Sequence, residues 1–379
     1  MDWRIPLFKI YWDKDDIAAV NKAIRRGMEW AIGPEVTQFE ENLAAYLKVK
    51  YCLTTNSGTS ALHAILLAYG IGPGDEVIVP AFTFISTANS VLFVGAKPVF
   101  ADIEDKTCGL DPKDVERKIT PKTKAIIPVH VAGIPCQIEE LKNVALKHKL
   151  ILIEDTAEAL GAKVGATKAG STGDAAILSF CQNKTITTGE GGAVVTNSED
   201  IYNKLKLVRS HGRLETKGSN YFSSTQYMDY MTLGYNFRMS NITAALGVAQ
   251  LKKLDKIIDM RRERAHLYDT AFAKPGNVII PQVPPGYYHV YQMYNIMVPA
   301  NLRDGLMTHL ADNGIMTKVN FYPIHKTHFY KNELKYNIPL PVTEKVSSQI
   351  MTLPMHPKIS QKDISDITGC IADFLADAK

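Results

Sequence analysis

The stretch S-F-C-Q-N-K-T-I-T-T-G-E-G-G-A-V-V-T-N, residues 179–197, runs from an apolar strand through a polar turn and a glycine-rich return into a second strand. Gly189, Gly191 and Gly192 admit backbone conformations that other residues resist, and Lys184 sits on the turn. Taken alone, the segment is a tight hairpin with a surface lysine, the usual place for that residue. The surrounding pattern changes this reading. Strand patterns at 51–54, 76–79, 98–102, 125–129, 150–154, 175–180 and 192–196 alternate with helical ones such as 60–69, 87–94 and 138–148. Strand, helix, strand in succession predicts an α/β fold with a mainly parallel sheet covered on both faces. Such sheets gather ligands at the carboxyl ends of their strands.

Two short amphipathic helices precede the sheet. Ile17, Val20 and Ile24 share a face of the first; Val36, Phe39, Leu43 and Leu47 share one of the second, which Pro34 opens. Beyond the sheet, a long helical pattern at 241–272 carries Leu246, Leu254, Ile257 and Ile258, then the basic run Arg261, Arg262 and Arg264. Such a run reads as a solvated face or an interface. Strands at 289–298 and 317–321 and a closing helix at 363–377 follow. The expected organisation is a large domain over 1–245 and a smaller C-terminal α+β domain over 246–379.

With 43 basic against 39 acidic side chains in 379 residues, the net charge of +4 is too mild for a nucleic-acid surface. The five cysteines are scattered, odd in number and free of any C-x-x-C pair, which argues against a disulfide framework or a metal site. No basic start followed by an apolar run opens the sequence, and no apolar stretch nears the roughly 20 residues that span a bilayer. A cytoplasmic protein without membrane or nucleic-acid partners is expected.

Several segments make Lys184 more than a turn residue. Asp155 closes the strand L-I-L-I-E-D, where a carboxylate can keep a pyridine nitrogen protonated, as pyridoxal-phosphate (PLP) chemistry requires. Asp155 is equally suited to cap a helix. In N-S-G-T-S-A-L-H, residues 56–63, Gly58, Thr59 and Ser60 stand where a helix N-terminus can cradle a phosphate. An ordinary capped helix is the other reading. P-A-F-T-F, residues 80–84, offers Phe82 and Phe84 for stacking or for core. No G-x-G-x-x-G follows a strand, so a nicotinamide site is not supported.

With G-P-E-V-T-Q-F-E-E at 33–41, G-P-G-D-E-V-I-V-P-A-F-T-F at 72–84, L-I-E-D-T-A-E-A at 152–159 and G-Y-N-F-R-M-S-N-I at 234–242, the chain resembles one family over nearly its whole length. That family is the DegT/DnrJ/EryC1/StrS sugar aminotransferases, of the fold-type I aspartate aminotransferase architecture. The resemblance implies that Lys184 carries PLP as a Schiff base and shuttles the proton, and that Asp155 pairs with the pyridinium nitrogen. It implies that Phe84, rather than Phe82, stacks on the ring, and that Thr59, Ser60 and Ser179 hold the phosphate, beside the Gly58 of the same helix start. Glu158 falls near the cofactor's O3′, where many relatives carry glutamine. Asn236 would reach the phosphate of a neighbouring subunit, which makes a homodimer with shared active sites necessary.

The blocks E-D-T-A-E-A and S-F-C-Q-N-K-T-I-T-T-G-E-G-G, with V-H-V-A-G-I-P-C at 129–136, are most similar to the perosamine-forming branch. The implied reaction moves the amino group of L-glutamate to C4 of GDP-4-keto-6-deoxymannose, with the pyridoxamine form (PMP) between the halves. Its product is a deoxyamino sugar of the kind built into O-antigen polysaccharides. UDP- or dTDP-linked 3- or 4-keto sugars stay open as substrates. His325, in F-Y-P-I-H-K, falls where the family places a sugar-contacting histidine; a surface or packing role is the alternative. Related 3-dehydratases replace the Schiff-base lysine with histidine, and Lys184 argues against that activity. A regulatory role is disfavoured by the complete cofactor set and the absence of a helix-turn-helix.

Overall fold

The computed structural model describes residues 3–213, 229–273 and 278–377. Chain order begins α1 (Lys14–Arg25), α2 (Pro34–Leu47), β1 (Tyr51–Thr55), α3 (Gly58–Ala68), β2 (Glu76–Pro80), α4 (Ser86–Phe93) and β3 (Lys97–Ala101). It continues α5 (Pro112–Lys118), β4 (Thr123–Ile126), α6 (Ile138–His148), β5 (Ile151–Asp155), the short pair β6 (Lys163–Val164) and β7 (Thr167–Lys168), then β8 (Ala175–Ser179) and β9 (Gly192–Thr196). Helices α7 (Glu199–Arg209), α8 (Asn241–Leu251) and α9 (Leu254–Ala271) lead to β10 (Tyr287–Tyr288), β11 (Tyr294–Met297) and α10 (Ala300–Asp312). The last elements are α11 (Pro341–Gln349), β12 (Ile350–Leu353) and α12 (Gln361–Asp377).

The seven apolar runs form one sheet in the order β1-β9-β8-β5-β4-β2-β3. Strands β3, β2, β4, β5 and β8 are parallel, and β9 runs antiparallel to both its neighbours. Alternation in the strands feeds three clusters on the two faces of the sheet. Val77, Val79, Ile153 and Ile177 meet α3, while Ile78, Ile126 and Leu152 meet α6, and Ala176, Leu178 and Val195 meet Phe39 and Leu43 of α2. The glycine-rich return is the hairpin the sequence predicts, with Ser179 opposite Gly192. Gly192 is required there: a Cβ would stand 2.4 Å from the Ser57 carbonyl oxygen, where α3 begins.

The C-terminal lobe pairs β11 with β12 and covers them with α10, α12 and the second half of α9. The expected boundary after residue 245 falls inside α8, which packs against α1 and α2. Helix α9 takes part in both cores: Ile257 and Ile258 belong to the α2 core and Ala265 and Tyr268 to the C-terminal one. The long pattern at 241–272 is likewise two helices, separated at Lys252–Lys253.

Three other expectations are corrected. Ile17 and Ile24 of α1 are exposed (51% and 42%), because α1 packs through Asp16 and Ala23. Asp16 is buried by pairing with Lys253 and with the Gln250 amide at 2.9 Å. Arg261 is buried rather than solvated, its Nη1 donating to the carbonyls of Tyr291, Gln292 and Met355. The strand pattern at 317–321 forms only a single bridge, Lys318 with Thr352.

The end of β5 is fixed by a buried carboxylate. Glu154 accepts from His130 Nε2 at 2.9 Å and from the backbone N–H groups of Gly170, Thr172 and Gly173 at 2.8, 2.7 and 2.7 Å. His130 Nδ1 accepts from the Cys136 N–H, so the ring proton lies on Nε2. Burial alone would raise the Glu154 pKa, but these donors outweigh it and hold the group below its ordinary value of 4.5. Its stabilisation is therefore present above pH 4.5 and lost as pH falls through the depressed pKa. Glu154→Ala should lower the unfolding free energy by about 3–5 kcal/mol at pH 7. In urea titrations the gap between variant and wild type should narrow as pH falls below about 4.5.

Candidate active site

A cavity of about 500 Å³ opens at the carboxyl ends of the parallel strands. Its sheet side carries Ser57–Thr59 after β1, Thr83 and Phe84 after β2, Asp155 and Glu158 at β5, and Ser179 and Lys184 at β8. Met316, Lys318, Asn320 and Phe321 close it from the C-terminal lobe, with Leu7 and Phe8 from the N-terminal segment. A second groove, about 680 Å³, lies at the amino ends of β2 and β3 and holds none of the candidate residues.

Lys184 extends from the turn after β8, whose first loop closes through the Lys184 N–H and the Cys181 carbonyl at 3.0 Å. Its ammonium donates to Glu158 Oε1 at 3.3 Å. Glu158 is itself fixed, because Oε2 accepts from the Ala132 N–H at 2.9 Å. Asp155 lies on the floor, with Thr87 Oγ1 donating to Oδ2 at 2.9 Å and the Ala157 N–H to Oδ1 at 3.1 Å. Burial raises its pKa, against the pull of these donors and of Lys184. This carboxylate is one that a cation would relieve.

The phosphate side is built by the start of α3. Ser57 caps the helix, accepting from the Ser60 N–H at 3.0 Å, and the two hydroxyls pair at 2.9 Å. Ser60 is thus turned to Ser57 and is not part of the lining; Ser57, Gly58 and Thr59 are. A Cβ on Gly58 would lie 3.0 Å from Ser179 Cβ, so the bare backbone keeps this corner open. Phe84 presents its ring to the cavity, 60% exposed, whereas Phe82 is fully buried against Phe321.

Two candidate residues lie outside this chain's lining, one of them, Asn236, expected to serve a neighbouring subunit. His325 is buried near Phe100, donates from Nε2 to Glu344 Oε1 at 3.2 Å and is not among the residues that line the cavity. Asn236 is exposed and does not line its own chain's cavity. Thr87, Gln292 and Lys318 do line it and escaped the sequence reading. Gln292 Nε2 donates to the Asn183 carbonyl at 3.1 Å, steadying the residue before Lys184. Thr87 lay within reach of the P-A-F-T-F motif; Gln292 and Lys318 come from distant segments without a pattern of their own.

The profile of the DegT/DnrJ/EryC1/StrS aminotransferase family matches residues 11–372. The chain belongs to this family. A GDP-perosamine synthase of Vibrio cholerae is 37% identical, the match covering 98% of this chain and 99% of that one. A UDP-N-acetyl-3-dehydro-alpha-D-glucosamine 3-aminotransferase of Acidithiobacillus ferrooxidans is 35% identical over 94% and 93%. Among solved structures, NtdA of Bacillus subtilis with bound PMP is 30% identical and superposes with a TM-score of 0.85, over 96% of this chain and 83% of that one. The enzyme is therefore a PLP-dependent sugar aminotransferase with the fold of that class.

The cavity fits the cofactor. A buried carboxylate in want of a cation, a lysine amine, an exposed aromatic ring and a helix N-terminus kept open by glycine surround one space. Among the described residues, no helix is long and apolar enough to cross a membrane.

Asp155 gives a sign that can be checked. Because its folded pKa is raised above 3.8, its contribution to stability is fully present below that pH and lost as pH rises through the raised value. Cofactor-free Asp155→Asn should therefore melt higher than cofactor-free wild type at pH 8, with the gap closing towards pH 4. Added PLP should raise the wild-type melting temperature by more than it raises the variant's, because the variant keeps Lys184 and the phosphate cradle but offers no carboxylate to the cation.

Proposed function

We propose that this enzyme transfers the amino group of L-glutamate to C4 of GDP-4-keto-6-deoxymannose, forming GDP-perosamine for polysaccharide assembly in the cytoplasm. The observation that carries the chemistry is the pairing of Lys184 with Glu158 above the buried Asp155 in one cavity. The sugar rests on the V-H-V-A-G-I-P-C and E-D-T-A-E-A blocks and on the likeness to the Vibrio cholerae enzyme. The comparable likeness to a UDP-sugar 3-aminotransferase favours a second reading, a UDP-linked 3-keto sugar.

Ser57, Gly58, Thr59 and Ser179 would hold the phosphate of PLP, Phe84 would cover its ring, and Asp155 would face its nitrogen. When bound, PLP supplies a carbonyl for amine capture and a ring that accepts electrons from the adjacent carbon. Lys184 Nζ takes the proton from the α-carbon of the donor and returns it when the amine passes to the sugar. Glu158 orients that amine through Oε1, and its own position is set by the Ala132 N–H. Thr87 and Ala157 hold both Asp155 oxygens, so the carboxylate meets the cation without reorganising.

The active unit is a homodimer, with Asn236 of each chain completing the phosphate site of the other. Its support is the exposure of Asn236 and an uncovered apolar face along α1, where Ile17, Ile24, Trp12, Met28 and Trp30 stand exposed.

Incubation with PLP, L-glutamate and GDP-4-keto-6-deoxymannose should give the amino sugar and 2-oxoglutarate by mass spectrometry. Lys184→Ala should lower turnover by roughly 10²–10⁴-fold or more, the range of a positioned proton carrier. Amination of a UDP-linked 3-keto sugar alone would overturn the GDP assignment in favour of the second reading.

A further inference from the structure

Three carboxylates, Asp155, Glu158 and Glu190, line the cavity among the described residues, against two ammonium groups, Lys184 and Lys318. Lys184 is engaged by Glu158 and by the cofactor's chemistry. Both substrates of the proposed reaction are anions, a dicarboxylate donor and a diphosphate-linked sugar, and this lining repels them unless a cation meets them. Among the described residues of this chain's lining, Lys318 is the cation left for that task.

Its placement suits the role. The Lys318 N–H donates to the Thr352 carbonyl at 3.3 Å, and the Thr352 N–H donates back to the Lys318 carbonyl at 2.8 Å. This bridge to β12 fixes the backbone on the wall contributed by the C-terminal lobe. Met316 and Asn320, two residues to either side, also line the cavity, as an extended segment facing one way requires. The Lys318 side chain is exposed and makes no ion pair or hydrogen bond with any described residue.

We infer that Lys318 is the shared anion anchor of both half-reactions, binding a carboxylate of L-glutamate in the first and a phosphate oxygen of the nucleotide sugar in the second. The assignment rests on the proposed amino donor and nucleotide-sugar acceptor. A lysine suits two anions of different shape better than an arginine, because its ammonium is a point charge on a flexible stem rather than a rigid fork. Donor and acceptor occupy the cavity in turn, so one group can serve both.

The test uses PLP-loaded wild type, Lys318→Met and Lys318→Arg. Loss of the PLP absorbance is followed against L-glutamate concentration, and its return against GDP- or UDP-linked keto sugar, whichever the wild type accepts. Calorimetry measures affinity for GDP and UDP without turnover. Lys318→Met should raise the half-saturating concentration in both half-reactions by roughly ten- to a hundredfold, the loss of one charge-assisted hydrogen bond. Nucleoside diphosphate affinity should fall in proportion, limiting rates should stay within about twofold, and Lys318→Arg should restore most of the binding. Unchanged saturation in both halves, or a change in only one, overturns the shared anchor. A wild type that reacts with neither substrate contradicts the proposed function itself, a failure distinguishable from normal wild-type turnover beside an unaffected Lys318→Met.

Discussion

Two adjacent carboxylates at the end of β5 meet opposite fates, and the active site depends on the difference. Strand alternation sends Glu154 and Asp155 to opposite faces of the sheet. Glu154 is saturated by His130 and three backbone amides, which tie the strand end to the 170–173 loop. Asp155 receives only two donors in a fully buried position and stays short of positive charge. The first carboxylate is a structural anchor that makes the second one's position reliable. The second supplies a cation-seeking floor to the cavity.

The rest of the site follows from backbone proximity around that floor. Antiparallel pairing of β8 with β9 folds the polar turn over the strand ends and lifts Lys184 above Asp155. That return is possible because Gly192 lets β9 pass the Ser57 carbonyl. Gly58 does the same for Ser179, leaving the α3 N-terminus open to an anion. The Lys184–Glu158 contact, the aromatic ring of Phe84 and the helix start are thus consequences of one arrangement of strands.

Elements carried by local pattern were legible in the sequence. The strand at 192–196 and the helix at 138–148 coincide with β9 and α6, because apolar periodicity and flanking breakers are enough to define them. Asp155, Glu158, Lys184 and Phe84 line one cavity because Asp155 ends a strand and the others follow within a few residues of a strand end, positions the pattern reveals. The orientations of Ser60 and His325 were not legible, since a neighbouring hydroxyl and a part-buried Glu344 contact decide them and neither leaves a trace in the chain's order. The outward apolar face of α1 was illegible for a related reason. Its inward face sets Asp16 beside Ala23, and the distant partners Lys253 and Gln250 make burying Asp16 tolerable.

The central claim is that Lys184, held by Glu158 over Asp155, is the residue that binds PLP covalently. Borohydride reduction of the PLP-loaded protein, followed by peptide mass spectrometry, tests it most directly. The predicted result is a single pyridoxyl-phosphate adduct on the peptide containing Lys184. An adduct on another lysine, with the Lys184 peptide unmodified, would contradict the account.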